Sequence, residues 1–149
     1  MRAVVLKAAL AVILVGAAVR AGDAKKDQEA LQGTWKVNTV EERGQSKPDN
    51  DNHSVVIKGD EFTIKRGEQL FIKAKMKIDA SKTPKHIDLE IVEDPKNRDV
   101  GKTVQGIYSL EGDQWRWCAT EPGNEGRPTA FSTEAGTKHF LITFKKDKS

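Results

Sequence analysis

The sequence predicts an all-β domain, an antiparallel meander of about eight short strands that closes into a small barrel or folds into a two-sheet sandwich. Three observations lead there. From Trp35 onward, apolar residues recur at every second position, the period of a half-buried strand. The alternating segments are short and regularly spaced, and Gly, Pro, Asp and Asn punctuate them. No long stretch of the chain carries a helical period.

Each element can be justified in order. Gly22 to Ala30 is charged and lacks turn formers, and Asp27 to Leu31 suits one or two helical turns as a lead-in. In Gly33-Thr34-Trp35-Lys36-Val37 the alternation begins: Trp35, Val37 and Thr39 on one face, Lys36, Asn38 and Val40 on the other. Gly44 to Asn52 reads as a loop by composition. Ser54–Lys58 and Glu61–Lys65 form a hairpin through Gly59-Asp60, a pair suited to a two-residue turn with positive φ at its first position. After Arg66-Gly67-Glu68, the stretch Gln69–Asp79 is the clearest strand. Leu70, Ile72, Ala74, Met76 and Ile78 share one face, and Phe71, Lys73, Lys75 and Lys77 share the other. Ser81 to Pro84 breaks the pattern, and His86–Glu93 resumes it with Ile87, Leu89 and Ile91 inward. A polar loop at 94–99 precedes strands Thr103–Leu110 and Gln114–Thr120. A long Gly- and Pro-containing loop, 121–137, leads to the last strand, Lys138–Lys146, with Phe140, Ile142 and Phe144 on one face.

The first 21 residues read as an export signal. Arg2 and Lys7 give a positive start, Ala8 to Val19 is an apolar run of 12 residues, and Val19-Arg20-Ala21 offers small residues at a cleavage site. A run of that length is shorter than the roughly 20 residues of a spanning helix. The segment holds Arg2, Lys7 and Arg20 and no acid. Of the chain's 25 basic residues, 22 therefore remain after it, against 22 acidic ones. A neutral domain of mixed signs gives no reason to expect nucleic acid or an anionic membrane as partner. The remaining 128 residues suit one domain with a single core. Cys118 is the only cysteine, so no intrachain disulfide forms. Within Trp115-Arg116-Trp117-Cys118-Ala119 it reads as a small core residue, in apolar surroundings that raise its pKa.

Candidate chemistry is sparse. No Gly-x-Ser-x-Gly elbow occurs. His53, His86 and His139 lie far apart, and no Cys pair exists to bind zinc. Asp49 to His53 is dense in oxygen ligands but lacks the Gly and terminal Glu of a calcium loop, so a solvated turn is the favoured reading. Asp88 and Glu90 share the polar face of their strand, where solvation is favoured over acid–base work on sugars. The Lys73-Lys75-Lys77 stripe reads as a solvated face that also discourages edge-to-edge association. Arg116 points away from Trp115 and Trp117. If the indoles are core, it faces out; if not, it enters the barrel and needs a partner, either Trp35 or a ligand's anion. Arg127-Pro128 on the long loop is read as a structural cap or an anion contact.

Gly33-Thr34-Trp35 after a helical lead-in resembles the Gly-x-Trp signature of lipocalins, in which the Trp closes the lower end of the barrel and packs near a basic residue from a late strand. More broadly, residues 28–146 resemble a family of uncharacterised secreted lipocalin-like domains abundant in planctomycete bacteria. The resemblance rests on Leu31-Gln32-Gly33-Thr34-Trp35, Pro84 to Leu89, Gly101 to Tyr108, Glu121-Pro122-Gly123 and Arg127 to Phe131. It implies a single antiparallel lipocalin-like barrel over 31–147, preceded by the signal at 1–21 and a polar lead-in at 22–30. Gly33 and Trp35 are its structural signature, and it implies no catalytic residues. The expected function is an exported, periplasmic or extracellular, non-enzymatic binding domain. It holds a small apolar or amphipathic molecule in the barrel, with Tyr108, Arg116, Trp117 and Arg127 as ligand contacts. The alternative is a structural or protein-interaction module of the cell envelope with a filled barrel. No cofactor, metal, nucleic acid or membrane span in the mature chain is expected, and the chain is expected to be monomeric.

Overall fold

A computed structural model of the chain describes residues 24–148, so the expected signal segment lies outside the described residues. A short helix, α1, covers 24–30. Nine strands follow: β1 (Gly33–Glu42), β2 (Gln45–Pro48), β3 (His53–Lys58), β4 (Glu61–Arg66), β5 (Gln69–Asp79), β6 (Lys85–Glu93), β7 (Thr103–Glu111), β8 (Gln114–Thr120) and β9 (His139–Lys146). Every neighbouring pair is antiparallel, and β9 pairs back onto β1 to close the barrel. Among the described residues no helix is long and apolar enough to cross a membrane.

The barrel has eight strand positions, because β2 and β3 are two halves of one. Residues 33–36 of β1 pair with β3, residues 39–42 pair with β2, and β9 occupies the other edge of β1. The break between the halves is stapled by Asp49. Its carboxylate accepts the backbone N–H of His53 at 2.7 Å and of Asp51 at 3.3 Å, and lies 2.8 Å from the His53 ring Nδ1. The composition of 44–52 predicts a loop throughout, whereas Gln45–Pro48 is a strand. All four of its residues are exposed, so no apolar alternation marks it; the free edge of β1 recruits it.

The inward faces largely follow the sequence pattern. Trp35, Val55, Ile57, Phe62, Ala74, Met76, Ile87, Leu89, Ile91, Tyr108, Trp115, Trp117 and Phe144 form the core. One departure is Leu70. Ile64 pairs with Ile72 but Lys65 pairs with Leu70, so Phe71 is the extra residue of a bulge and Leu70 turns outward beside Lys65. Phe71 itself is 42 % exposed.

A chain of ring contacts runs along the barrel axis. Trp115 stacks on Phe144 at 4.2 Å between centroids and meets Trp35 edge-on at 5.6 Å. Phe62 bridges Trp115 and Trp117, and Trp117 meets Phe140 edge-on at 5.1 Å. Gly106 makes room for this column: a Cβ there would lie 2.8 Å from Trp117 Nε1, 2.7 Å from the Cys118 carbonyl and 2.9 Å from Ala119 Cβ.

Helix α1 closes one end. Gln28 and Gln32 donate to the Gly59 carbonyl, Trp35 Nε1 donates to the Leu31 carbonyl at 2.9 Å, and Tyr108 Oη and Lys85 Nζ each donate to Asp27 at 2.8 Å. The connection after β8 does not cap the other end. It lies on the outer wall over β7, β8 and β9, where Ile107 and Cys118 are fully buried beneath it.

Candidate functional site

The four side chains read from the sequence as ligand contacts do not converge. Tyr108 points inward at the end closed by α1, and its hydroxyl is committed to Asp27. Trp117 is inward and 3 % exposed, held between Phe62 and Phe140 within the aromatic column. Arg116 faces outward. Its Nε donates to Ser109 Oγ at 3.1 Å, and its guanidinium lies 4.2 Å from the centroid of the Phe131 ring. Arg127 is also on the outer wall, donating to the Gly106 carbonyl at 2.8 Å and pairing with Asp88 at 2.7 Å. Both arginines thus fasten the 121–138 connection to the barrel. The cation that meets Trp35 is Lys146, with Nζ 4.7 Å from the ring centroid, and not Arg116.

Other candidates resolve into structural roles. Lys73 pairs with Glu61 at 2.9 Å and Lys75 approaches Asp60 at 3.9 Å, so the lysine stripe faces a complementary row of acids. Asp88 and Glu90 sit opposite Lys77 and Lys75 across the β5–β6 ladder. Burial pushes the Cys118 thiol up, against a weaker opposing effect of the Ser132 backbone contact, which makes it a poor nucleophile. Burial, with the nearby Arg127 cation, holds His86 below the usual imidazole range. Ligand atoms of Asp49, Asp51 and His53 lie within 4.8 Å of one another. However, the Asp49 oxygens are already occupied by donors from 51 and 53, and the Arg66 guanidinium stands 3.4 Å from His53 Nε2. A cation beside the imidazole opposes a metal there, and the cluster works as the staple of the β2–β3 break.

The geometry instead draws attention to the end opposite α1. There the turn between β4 and β5 faces the 94–102 connection between β6 and β7, and between them lies a recess of about 280 Å³. Leu70, Phe71 and Ile72 give it apolar surface, and Arg66, Lys96 and Arg98 line it with cations. Phe71 is fixed by the β5 bulge, with the Arg66 guanidinium 5.8 Å from its ring centroid and the His53 ring edge-on at 6.0 Å. The loop opposite is shaped by Asp94, whose carboxylate accepts the backbone N–H groups of Lys96, Arg98 and Asp99. Those bonds hold its carboxyl below the usual range.

Sequence reasoning passed over these residues. One signal was present: Phe71 is the single apolar residue on a face otherwise made of lysines. Its meeting with the 94–99 loop depends on a bulge and a connection that no periodicity encodes. Compared with known proteins, the chain matches no family model, no curated protein and no solved structure.

Proposed function

We propose that this chain is an exported, non-enzymatic binding domain that takes a small apolar or amphipathic molecule at the rim of its barrel rather than along the axis. The observation that carries this reading is the aromatic column from Trp35 to Phe140, which occupies the space an axial ligand would need. Among the concave sites left on the surface, the recess beside Phe71 joins an exposed aromatic ring to a cluster of cations. A rigid scaffold with its variable chemistry on end loops is a common design for recognition.

The test is native mass spectrometry of the protein recovered from the cell's exterior, compared with its denatured mass and N-terminal sequence. An N-terminus near residue 22 and a non-covalent excess of small-molecule size are the expected results. A bare mass, with retention of another envelope protein instead, would replace this reading with that of an interaction module. The filled axis also suits that second reading, as do the exposed Val92 and Val100.

A further inference from the structure

The charges around the rim recess are unequally satisfied. Asp94 already accepts three backbone N–H groups, at 3.0, 3.1 and 3.1 Å. Asp99 is paired with Lys102 at 3.0 Å. Both acids on this wall therefore have their partners. Lys96 and Arg98 have no ion pair within 4 Å among the described residues, Arg98 acting on Asp94 only at longer range, and Arg66 spends its Nε on His53 Nε2. Three cations and the two engaged acids thus line a recess whose apolar surface is Leu70, Ile72, Pro95 and the exposed ring of Phe71.

We propose that this recess binds a small amphipathic anion, its apolar body against Phe71 and Leu70 and its charged group met by Arg66 and Arg98. This rests on the rim-binding reading above and names the ligand class for it. Arginine suits the task because its planar fork donates two parallel hydrogen bonds to a carboxylate or sulfonate. A guanidinium already near an aromatic face can hold the anion while the ring takes the apolar part. The volume of about 280 Å³ lies just below the range of drug-sized pockets, roughly 300–1,000 Å³, so the body is a fused ring pair or a short chain rather than a full lipid tail. The same head chemistry could be offered by an anionic lipid surface, and the test separates the two sources.

The experiment is a two-dimensional NMR titration of the purified protein with 1-naphthoate. The neutral 1-naphthalenemethanol and phosphatidylglycerol vesicles are run in parallel. Shifts confined to 64–72 and 94–99 are expected for naphthoate, with binding at least about tenfold weaker for the alcohol, the loss that one charge-assisted contact of about 1.4 kcal/mol represents. Arg66→Gln and Arg98→Gln should each weaken naphthoate several-fold and leave the alcohol unchanged, while Phe71→Ala weakens both. Matching melting curves confirm that the variants remain folded. Equal binding of alcohol and anion at the recess would overturn the anion assignment while leaving rim binding intact. Shifts centred on Trp117 and Phe140 would overturn both. Binding to vesicles without binding to free naphthoate would overturn the small-molecule site.

Discussion

The Lys146 ammonium lies 4.7 Å from the centroid of the Trp35 ring and also donates to the carbonyls of Ala30 and Gln32. One side chain from the last strand thereby ties together the first strand and the end of α1. Trp35 is 1 % exposed and Lys146 is half-buried, so the contact is partly shielded from water and the cation–ring attraction is stronger than at a fully exposed site. Lys146→Met keeps the aliphatic stem and removes the charge. It should lower stability by about 1–2 kcal/mol, read as a fall in the thermal unfolding midpoint together with a change in tryptophan emission. Gly33 belongs to the same cluster. Its φ is +110°, and a Cβ would lie 3.0 Å from Lys146 Nζ, so Gly33→Ala should cost about 1–3 kcal/mol.

Asp49 makes the fold sensitive to acid. Burial alone would raise its carboxyl, but the hydrogen bonds from the His53 ring and from the His53 and Asp51 backbones outweigh that and hold it below 3.8. A depressed carboxyl contributes stability that is complete above its unfolded value and is lost as pH falls through the folded one. The stability of the native chain should therefore decline as pH drops below about 3.8 in part because of this group. Asp49→Asn should remove that part of the slope and cost about 1–2 kcal/mol at neutral pH, measured by urea unfolding across the acid range.

Gly106 allows Trp117 into the column. A methyl group there would meet two rigid neighbours, the Cys118 carbonyl and Ala119 Cβ, as well as the indole. Gly106→Ala should destabilise by about 1–3 kcal/mol and alter near-ultraviolet circular dichroism, since the ring must move. Unchanged stability would mean that the β7–β8 ladder relaxes more freely than its packing indicates.

Tyr108 ties the barrel to its plug. Its hydroxyl and Lys85 Nζ both donate to one oxygen of the buried Asp27. Tyr108→Phe should cost about 1.5–3 kcal/mol, the range for a hydrogen bond to a charged group. Hydrogen exchange should quicken first over 27–31. Rim binding, at the far end, should be unaffected.

Cys118 reports on the outer connection. Its side chain is fully buried, with Sγ 3.7 Å from the carbonyls of both Ala130 and Ser132. A thiol reagent should label it only as the 121–138 segment lifts. Arg116→Ala, which removes the contact to Phe131, should therefore speed labelling without a matching loss of global stability. Fast labelling of the unaltered protein would contradict the burial described.

Local sequence signals were enough for eight of the nine strands, the inward faces of β6 and β9, the β3–β4 hairpin and the burial of Cys118. Each of these depends on local alternation, on turn chemistry or on composition, and such signals survive without a partner strand. The tertiary structure alone decided the rest. β2 exists because β1 has a free edge, Leu70 turns outward because β4 and β5 fall out of step by one residue, and Lys146 rather than Arg116 meets Trp35 because closure brings the last strand beside the first. The rim recess belongs to this second group. Arg98 is 27 positions from Phe71 and 32 from Arg66, and the bulged β4–β5 pairing together with the β5–β6 pairing brings them to one wall. Periodicity states which way a side chain faces, but not which side chain it will face.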